Sequence, residues 1–284
     1  MAYPTVNGPY GLLPTNLTGG QVFAGSTRMI PIASGYSENL YYGDPVKFTS
    51  DGTLIVSGLA YNSAAAEVGG TLGIFLGCQY STSGGPIYGR NYFQYWKTDT
   101  VASDAVAFVC DDPDVIFKAA MIAYDTGGDP VMGTAPAAAL GTNLTSMAAL
   151  TANTGTGSNV NGNSNVGLML ASGNVRRTAT APFRIVQMVP ETRLLVTQTA
   201  TTGNASTAVT LSAANADVKT GMLVTGLNVA AGTYVAAVSG TSVTLSAATN
   251  ATAGETGTLT FDGYQEVLVR WNFGYHAYQN AVAI

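Results

Sequence analysis

The stretch Val267–Phe273, with the sequence VLVRWNF, is the clearest β-strand signal in this chain of 284 residues. Its odd positions are Val, Val, Trp and Phe, and its even positions are Leu, Arg and Asn. Because successive side chains of a β-strand point to opposite faces, one face of this strand is large and apolar. We therefore expect Val267, Val269, Trp271 and Phe273 to face the core of a sheet.

The rest of the chain shows further strand signals and almost no helical ones. Short apolar runs typical of strands occur at Leu72–Tyr80, Val106–Cys110, Val115–Tyr124 and Phe183–Val189. The best helical candidate, Pro136–Leu150, is interrupted at residues 141–143 by Gly, Thr and Asn. No capped segment of helical periodicity is long enough to predict an α-helix.

A hairpin is indicated at Asp44–Val56. Asp51 and Gly52 separate two β-prone runs there, and glycine tolerates the positive φ that tight hairpin turns require. With the other strand signals, this hairpin predicts an all-β fold whose main domain is a β-sandwich or is β-barrel-like.

The segment between Leu194 and Phe261 differs in amino-acid composition from the segments on either side. Its only charged residues are Asp217, Lys219 and Glu255. The sequence VTLSAANA at residue 209 is echoed by VTLSAATNA at residue 243. Strands are expected at Ala208–Leu211, Met222–Val224, Tyr234–Val238, Ser242–Leu245 and Gly257–Phe261. We predict a small inserted β module at residues 194–262, a main domain at 21–193 and 263–284, and an extended N-terminal arm at 1–20.

The composition excludes several classes of function. Charged residues make up 10% of the chain, against about 25% in an ordinary soluble domain, and the net charge is −5. The only basic doublet is Arg176-Arg177, so we expect no nucleic-acid binding. No apolar run approaches the length of a membrane span, and the first residues do not resemble a secretory signal, so we expect no membrane association. The low charge suits a protein packed against copies of itself or against a large partner.

Motifs for catalysis or cofactor binding are missing from the sequence. It contains no nucleophile elbow, phosphate-binding loop, dinucleotide fingerprint or Cys/His metal spacing. The single histidine, His276, is expected to be structural, and Cys78 and Cys110 are expected to be buried free thiols rather than a disulfide. These observations predict a protein that is not an enzyme and holds no cofactor.

One acidic cluster, Asp111, Asp112 and Asp114, allows two interpretations. Its carboxylates suit Ca²⁺, but the Gly and the distal Glu of an EF-hand loop are absent. A solvated turn between two apolar strands is the favoured interpretation, because Asp and Pro both suit turns.

The aromatic run at residues 92–96, YFQYW, is the most suggestive surface feature. In a continuous strand, Tyr92, Gln94 and Trp96 would share one face, and Phe93 and Tyr95 the other. Core packing explains one face, and the other is a candidate subunit interface, because Tyr and Trp are enriched at interfaces. The candidate interface residues are Tyr92, Tyr95 and Trp96.

The predicted N-terminal arm offers a second candidate contact surface. Three prolines and several glycines in its first 20 residues prevent a helix and favour an extended segment that lies across a partner. The candidate contact residues are Tyr3, Pro4, Tyr10, Leu12 and Leu13.

Several of these stretches together resemble virion structural proteins of tailed bacteriophages, especially those of marine and cyanobacterial phages. They are the PYGLLPTN block at residues 9–16, the RMIPI strand at 28–32, the GDPVKFTSDG hairpin at 43–52, LGIFLGC at 72–78, APFRIV at 181–186 and the closing VLVRWNFGYHAY. The hairpin is also similar to that of small head-decoration proteins.

This resemblance implies a capsid decoration, or cement, protein that is made in the host cytoplasm and binds the exterior of the virion capsid. The implied partners are the phage major capsid protein and further copies of the chain, as a trimer or dimer. A phage tail or fibre component is the alternative, and a carbohydrate-binding β-protein is a less favoured one.

Overall fold

The computed structural model describes residues 8–57, 70–82, 90–124, 130–132, 140–141, 143–144, 147–149, 157–169, 175–176, 182–252 and 254–279. Within these residues the chain is all-β, as predicted. Short 3-10 helices lie at Pro190–Thr192 and Ala277–Gln279, and the described residues contain no α-helix.

The described strands form three sheets. In chain order they are β1 Leu13–Leu17, β2 Arg28–Pro31, β3 Pro45–Phe48, β4 Leu54–Val56, β5 Thr71–Tyr80, β6 Asn91–Phe93, β7 Val106–Cys110, β8 Val115–Tyr124, β9 Pro130–Met132, β10 Asn143–Leu144, β11 Met147–Ala149, β12 Val166–Met169, β13 Val175–Arg176, β14 Phe183–Val189, β15 Leu195–Thr202, β16 Ala208–Leu211, β17 Leu223–Gly226, β18 Val235–Ser239, β19 Ser242–Leu245, β20 Glu255–Asp262 and β21 Glu266–Trp271.

The first sheet has the order β11-β12-β8-β21-β14-β10-β13, with β1 and β9 also paired to β8. Strand β21 lies between β8 and β14, and its residues Val267, Val269 and Trp271 are buried, as expected. The strand ends at Trp271, however, and the chain turns there. Phe273 is therefore 80% exposed, and the expectation that it faces the core is wrong.

The second sheet has the order β2-β7-β5-β3-β4, with β6 paired to β5. The β3–β4 hairpin forms where it was predicted, and Gly52 in its turn has a φ of 75°. A parallel bridge between Ile32 and Leu54 links the two ends of the sheet. The buried residues of the first two sheets pack into one continuous hydrophobic core.

The third sheet has the order β17-β20-β15-β16-β19-β18 and uses only strands between Leu195 and Asp262. The peptide N–H of Val235 donates to the carbonyl of Met222 at 2.9 Å, close to a bridge between Leu223 and Tyr234. These contacts join the two outer strands, so the sheet curls back on itself. The division of the chain into arm, main domain and inserted module stays a prediction.

The two repeated VTLS sequences are neighbours in the third sheet. They lie on β16 and β19, which pair with Val209 opposite Val243, and both of these side chains are buried. The repeat therefore supplies two adjacent strands with the same alternation of buried and exposed side chains.

The third sheet is joined to the first by side chains as well as by the chain itself. Ile122 of β8 and Tyr264 pack into the core of the third sheet. The guanidinium of Arg193 donates to both carboxylate oxygens of Asp262, and the N–H of Gly263 donates to the carbonyl of Leu194 at 2.7 Å. The residues at which the chain enters and leaves the third sheet are therefore held together by an ion pair and a backbone hydrogen bond.

Candidate functional site

His276, the single histidine, is fully buried beside aromatic rings. Its ring lies 5.7 Å from that of Trp271 and 5.1 Å from that of Tyr278, and its Nδ1 accepts the N–H of Tyr278 at 3.2 Å. Burial lowers the pKa of His276, and the nearby Asp111 carboxylate partly offsets this effect. The geometry fits a packing role rather than a catalytic one.

The two cysteines, Cys78 and Cys110, are free and buried, which confirms the prediction of buried thiols. Burial raises the pKa of each thiol to about 12. Because the thiolate is the reactive form of cysteine, neither side chain is poised for nucleophilic chemistry.

The acidic cluster forms a turn in which the carboxylates of Asp111 and Asp112 have protein partners. Asp111 lies 2.9 Å from Nε of Arg28 and accepts the hydroxyl of Tyr278 at 2.7 Å. Asp112 accepts the N–H of Asp114 at 2.8 Å. The described part of the chain contains no group of three or more acidic, His or Cys side chains that could hold a metal ion. The cluster therefore forms the expected turn between β7 and β8, and the expectation that it is not a calcium site stays a prediction.

Part of the predicted N-terminal arm packs into the chain's own core. Leu12 is fully buried in that core, and its N–H donates to the carbonyl of Gly43 at 3.0 Å. Leu13 is half-buried in β1, opposite Lys118 of β8. The expectation that Leu12 contacts a partner is therefore corrected, because its side chain is fully buried within the chain. The expectation for Leu13 stays a prediction. Tyr3 and Pro4 lie outside the described residues.

Tyr10, the remaining candidate contact residue of the arm, is tied to a buried carboxylate. Its hydroxyl donates to Oε1 of Glu266, which is 2% exposed. Nζ of Lys118 lies 3.2 Å from the same oxygen and 5.8 Å from the centre of the Tyr10 ring. Burial, followed by the hydrogen bond and charge of Glu266, raises the pKa of Tyr10. Tyr10 thus anchors residues 8–17 to β8 and β21, and its expected role as a partner contact stays a prediction.

The aromatic run at residues 92–96 does not form one continuous strand. β6 ends at Phe93, so the predicted alternation of faces stops there. Trp96 is fully buried in the core, and Tyr95 is half-buried and stacked on Tyr41 at 5.7 Å. The expectation that Trp96 contributes to a subunit interface is therefore wrong. Of the three candidate interface residues, only Tyr92 is strongly exposed, at 73%.

Tyr92 belongs to a larger apolar surface on the second sheet. Met29 of β2 pairs with Phe108 of β7. Gln79 of β5 pairs with Tyr92 of β6 on one side and with Val106 of β7 on the other. The rings of Tyr92 and Phe108 stack at 5.7 Å, and Met29 is 62% exposed. We call Met29, Tyr92, Val106 and Phe108 the outer apolar face.

Sequence reasoning missed most of this face. The run VAFVC at Val106–Cys110 was predicted only to form a strand, and its two faces were not assigned. In the structure Ala107 and Val109 are buried, whereas Val106 and Phe108 point to the other side of the sheet. A continuous apolar run is typical of a strand covered on both faces, and this signal could have revealed the outer apolar face.

The chain was compared with protein-family models, with curated proteins and with solved structures, and no match was found. Among the described residues, no helix is long and apolar enough to cross a membrane.

Proposed function

We propose that this chain is a structural protein of a tailed-phage virion that binds the outer surface of the capsid and stabilises it. The resemblance of its sequence to virion proteins supports this function. The structural observation that carries it is the outer apolar face, because this surface has the chemistry of a protein–protein contact.

The outer apolar face breaks the usual pattern of a solvated antiparallel sheet. Such a sheet has apolar side chains on its core face and polar side chains on its water face. Here Met29, Val106, Phe108 and Tyr92 all occupy outward positions, and the neighbouring outward residue Gln79 is uncharged. Aromatic residues and Met are enriched in interfaces, and charged residues are depleted from their centres. A protein partner that covers this face is therefore the simplest explanation for its composition.

The size of the face suits a contact that is weak for one copy and strong for many. A buried aromatic side chain covers about 150–250 Å². Two aromatic residues, Met29 and Val106 thus form only part of the roughly 800 Å² that one partner contributes to a standard interface. A decoration protein occurs in many copies on one lattice, so individually modest contacts add up by avidity.

Binding to purified capsids of the phage that encodes this chain tests the proposal. We expect the double variant Met29→Ser/Tyr92→Ser to lose at least about tenfold in affinity for capsids in co-sedimentation, because central aromatic contacts dominate such interfaces. Val160→Ser is the matched control, since Val160 is 98% exposed and lies outside the face. Equal binding by the double variant and the control would contradict the role of this face.

Location in the virion tests the function itself. We expect labelled chain to appear as regular density on the outer capsid lattice in electron micrographs. Density confined to the tail would overturn the proposal in favour of a tail component.

A further inference from the structure

The side chain of His276 caps the 3-10 helix Ala277–Gln279. Nδ1 of His276 accepts the N–H of Tyr278 at 3.2 Å, and the carbonyl of His276 accepts the N–H of Gln279 at 2.9 Å. Residues that precede a helix often satisfy its first N–H groups in this way. A ring nitrogen that accepts a hydrogen bond carries no proton, so this contact requires the neutral imidazole with its proton on Nε2.

The segment around this cap is held in place by three contacts. The backbone of His276 forms a parallel bridge with Thr71 at the start of β5. Its ring is fully buried and lies 5.7 Å from the ring of Trp271. The hydroxyl of Tyr278 donates to Asp111 at 2.7 Å. We call residues 275–279 the clasp, because they join β5 and β21 to the turn between β7 and β8.

The clasp can open without disrupting the sheets. β21 ends at Trp271, and the 3-10 helix has only three residues. Segments with little regular hydrogen bonding open with smaller free energies than central strands do. Opening of the clasp breaks the contacts of His276 and Tyr278, whereas β21 stays paired with β8 and β14.

The groups that face His276 have opposing effects on its charge. The carboxylates of Asp111 and Asp112 and the carbonyls of Leu72 and Asp111 favour the protonated ring. Arg28 counteracts Asp111, since its Nε lies 2.9 Å from that carboxylate. Burial outweighs the favourable groups, so the pKa of His276 in the folded chain lies below its ordinary 6.5.

Protonation of the buried ring removes the cap. An imidazolium donates from both nitrogens, so Nδ1 can no longer accept the N–H of Tyr278. The new charge is buried beside Trp271 in the closed clasp, whereas water solvates it in the open one. Below pH 6.5, protonation therefore favours the open clasp by up to about tenfold per pH unit.

We propose that the clasp is an acid-sensitive device: the neutral ring of His276 holds it closed at neutral pH, and protonation of this ring in weak acid releases residues 275–279 from β5. Release uncovers the backbone of Thr71 and the side of the Trp271 ring that His276 covers. The clasp shares no residue with the outer apolar face, and the proposal does not require the capsid function.

Hydrogen exchange of the full chain at pH 7.0 and pH 5.0, followed by NMR, tests the proposal. The reporting amides are those of Tyr275, Tyr278 and Gln279, which donate the hydrogen bonds of the clasp. After correction for intrinsic exchange rates, we expect their protection at pH 5.0 to be lower by about threefold to thirtyfold, because this pH is about 1.5 units below 6.5. At both pH values these amides should be less protected than those of β21 and less sensitive to low concentrations of urea.

Two variants separate His276 from the neighbouring carboxylate. His276→Asn keeps a good cap but does not titrate, so its clasp should be equally protected at both pH values. Tyr278→Phe is the matched control, because it removes the hydrogen bond to Asp111 and keeps His276. Its clasp should be less protected at both pH values and should retain the acid effect. Near-ultraviolet circular dichroism checks that each variant is folded, and His276→Gln replaces an unfolded His276→Asn.

Three results would overturn the proposal. The first is equal protection of the clasp amides at pH 7.0 and pH 5.0 in the unmodified chain. The second is exchange with the protection and urea dependence of β21, which would show that the clasp opens only when the whole chain unfolds. The third is an acid effect that His276→Asn retains, which would assign the response to another group such as Asp111. Capsid binding through the outer apolar face is measured separately, so each of these results leaves the proposed function standing.

Discussion

The hydroxyl of Tyr10 should stabilise the fold by a measurable amount, and Tyr10→Phe removes this group alone. The hydroxyl donates to Oε1 of the buried Glu266, and Lys118 is the other partner of that oxygen. The second oxygen of Glu266, Oε2, is buried and has no hydrogen-bond partner among the described residues. Without the Tyr10 hydroxyl, the ion pair with Lys118 is the main interaction that offsets the cost of burying the Glu266 carboxylate.

The expected cost is about 1.5–2 kcal/mol of the free energy of unfolding. Hydrogen bonds to charged groups contribute about 1.5–3 kcal/mol, and the lower half of this range applies because Lys118 remains close to the carboxylate. Urea unfolding measures the change as a lower midpoint with an unchanged slope. Tyr92→Phe is the matched control, because it removes the same hydroxyl from a side chain that is 73% exposed, and it should change the free energy by less than about 0.5 kcal/mol.

A Tyr10→Phe variant as stable as the control would refute the anchoring of residues 8–17 by Glu266. A double-mutant cycle with Lys118→Met examines the same network. Because both groups contact one carboxylate oxygen, their effects should be non-additive by at least about 0.5 kcal/mol. Additive effects would show that the two side chains act independently.

Three further predictions concern buried groups. Burial lowers the pKa of His276 from its ordinary 6.5, so the stability that this residue contributes is present above pH 6.5 and is lost as the pH falls below it. The loss is at most about 1.4 kcal/mol per pH unit, and His276→Gln should flatten the pH dependence of the urea midpoint in this range. Cys78 and Cys110 should resist a thiol reagent at pH 8 until urea unfolds the chain, since burial raises their pKa to about 12, and rapid labelling of the folded chain would contradict this. Gly73→Ala should destabilise the chain by more than about 2 kcal/mol, because the added Cβ would lie 2.2 Å from the carbonyl oxygen of Cys110, whereas Gly8→Ala, with open space around it, should not.

Local sequence signals predicted the strands that have a strong pattern of their own. The hairpin at Asp51-Gly52 forms because the turn residues match its backbone, and β7, β8, β14, β16 and β19 have the bounds that their apolar patterns indicated. The missed strand β15 reads LVTQTATT, whose polar residues resemble a loop. It is central in the third sheet because Val196 and Ala200 are enough to cover the core, while threonine itself favours strands.

The site residues were misassigned because their burial depends on where each strand ends and on the tertiary contacts that follow. Alternation predicted a buried Phe273, but β21 ends two residues before it. Trp96 was a candidate interface residue on an assumed continuous strand, but β6 ends three residues before it. The prolines near the N-terminus suggested a free arm, yet Pro14 lies within β1, where a register shift next to it accommodates the ring. The alternation of apolar and polar residues along a strand does not show where the strand ends or which residues it contacts in the folded chain.

The low charge of the chain has two different structural origins. On the third sheet, outward threonines of β15 face outward threonines of β20, and the pairs are Thr197 with Thr260, Thr199 with Thr258 and Thr201 with Thr256. The Oγ1 atoms of the last pair are 2.9 Å apart. Hydroxyl groups therefore hydrate this sheet in place of charges, and its composition does not demand a partner. The outward positions Met29, Val106, Phe108 and Tyr92 of the second sheet offer water almost no hydrogen-bonding groups, so the low charge there does favour a covered surface. The composition alone could not separate these two cases. The proposed protein contact therefore rests on the side chains of the second sheet and not on those of the third.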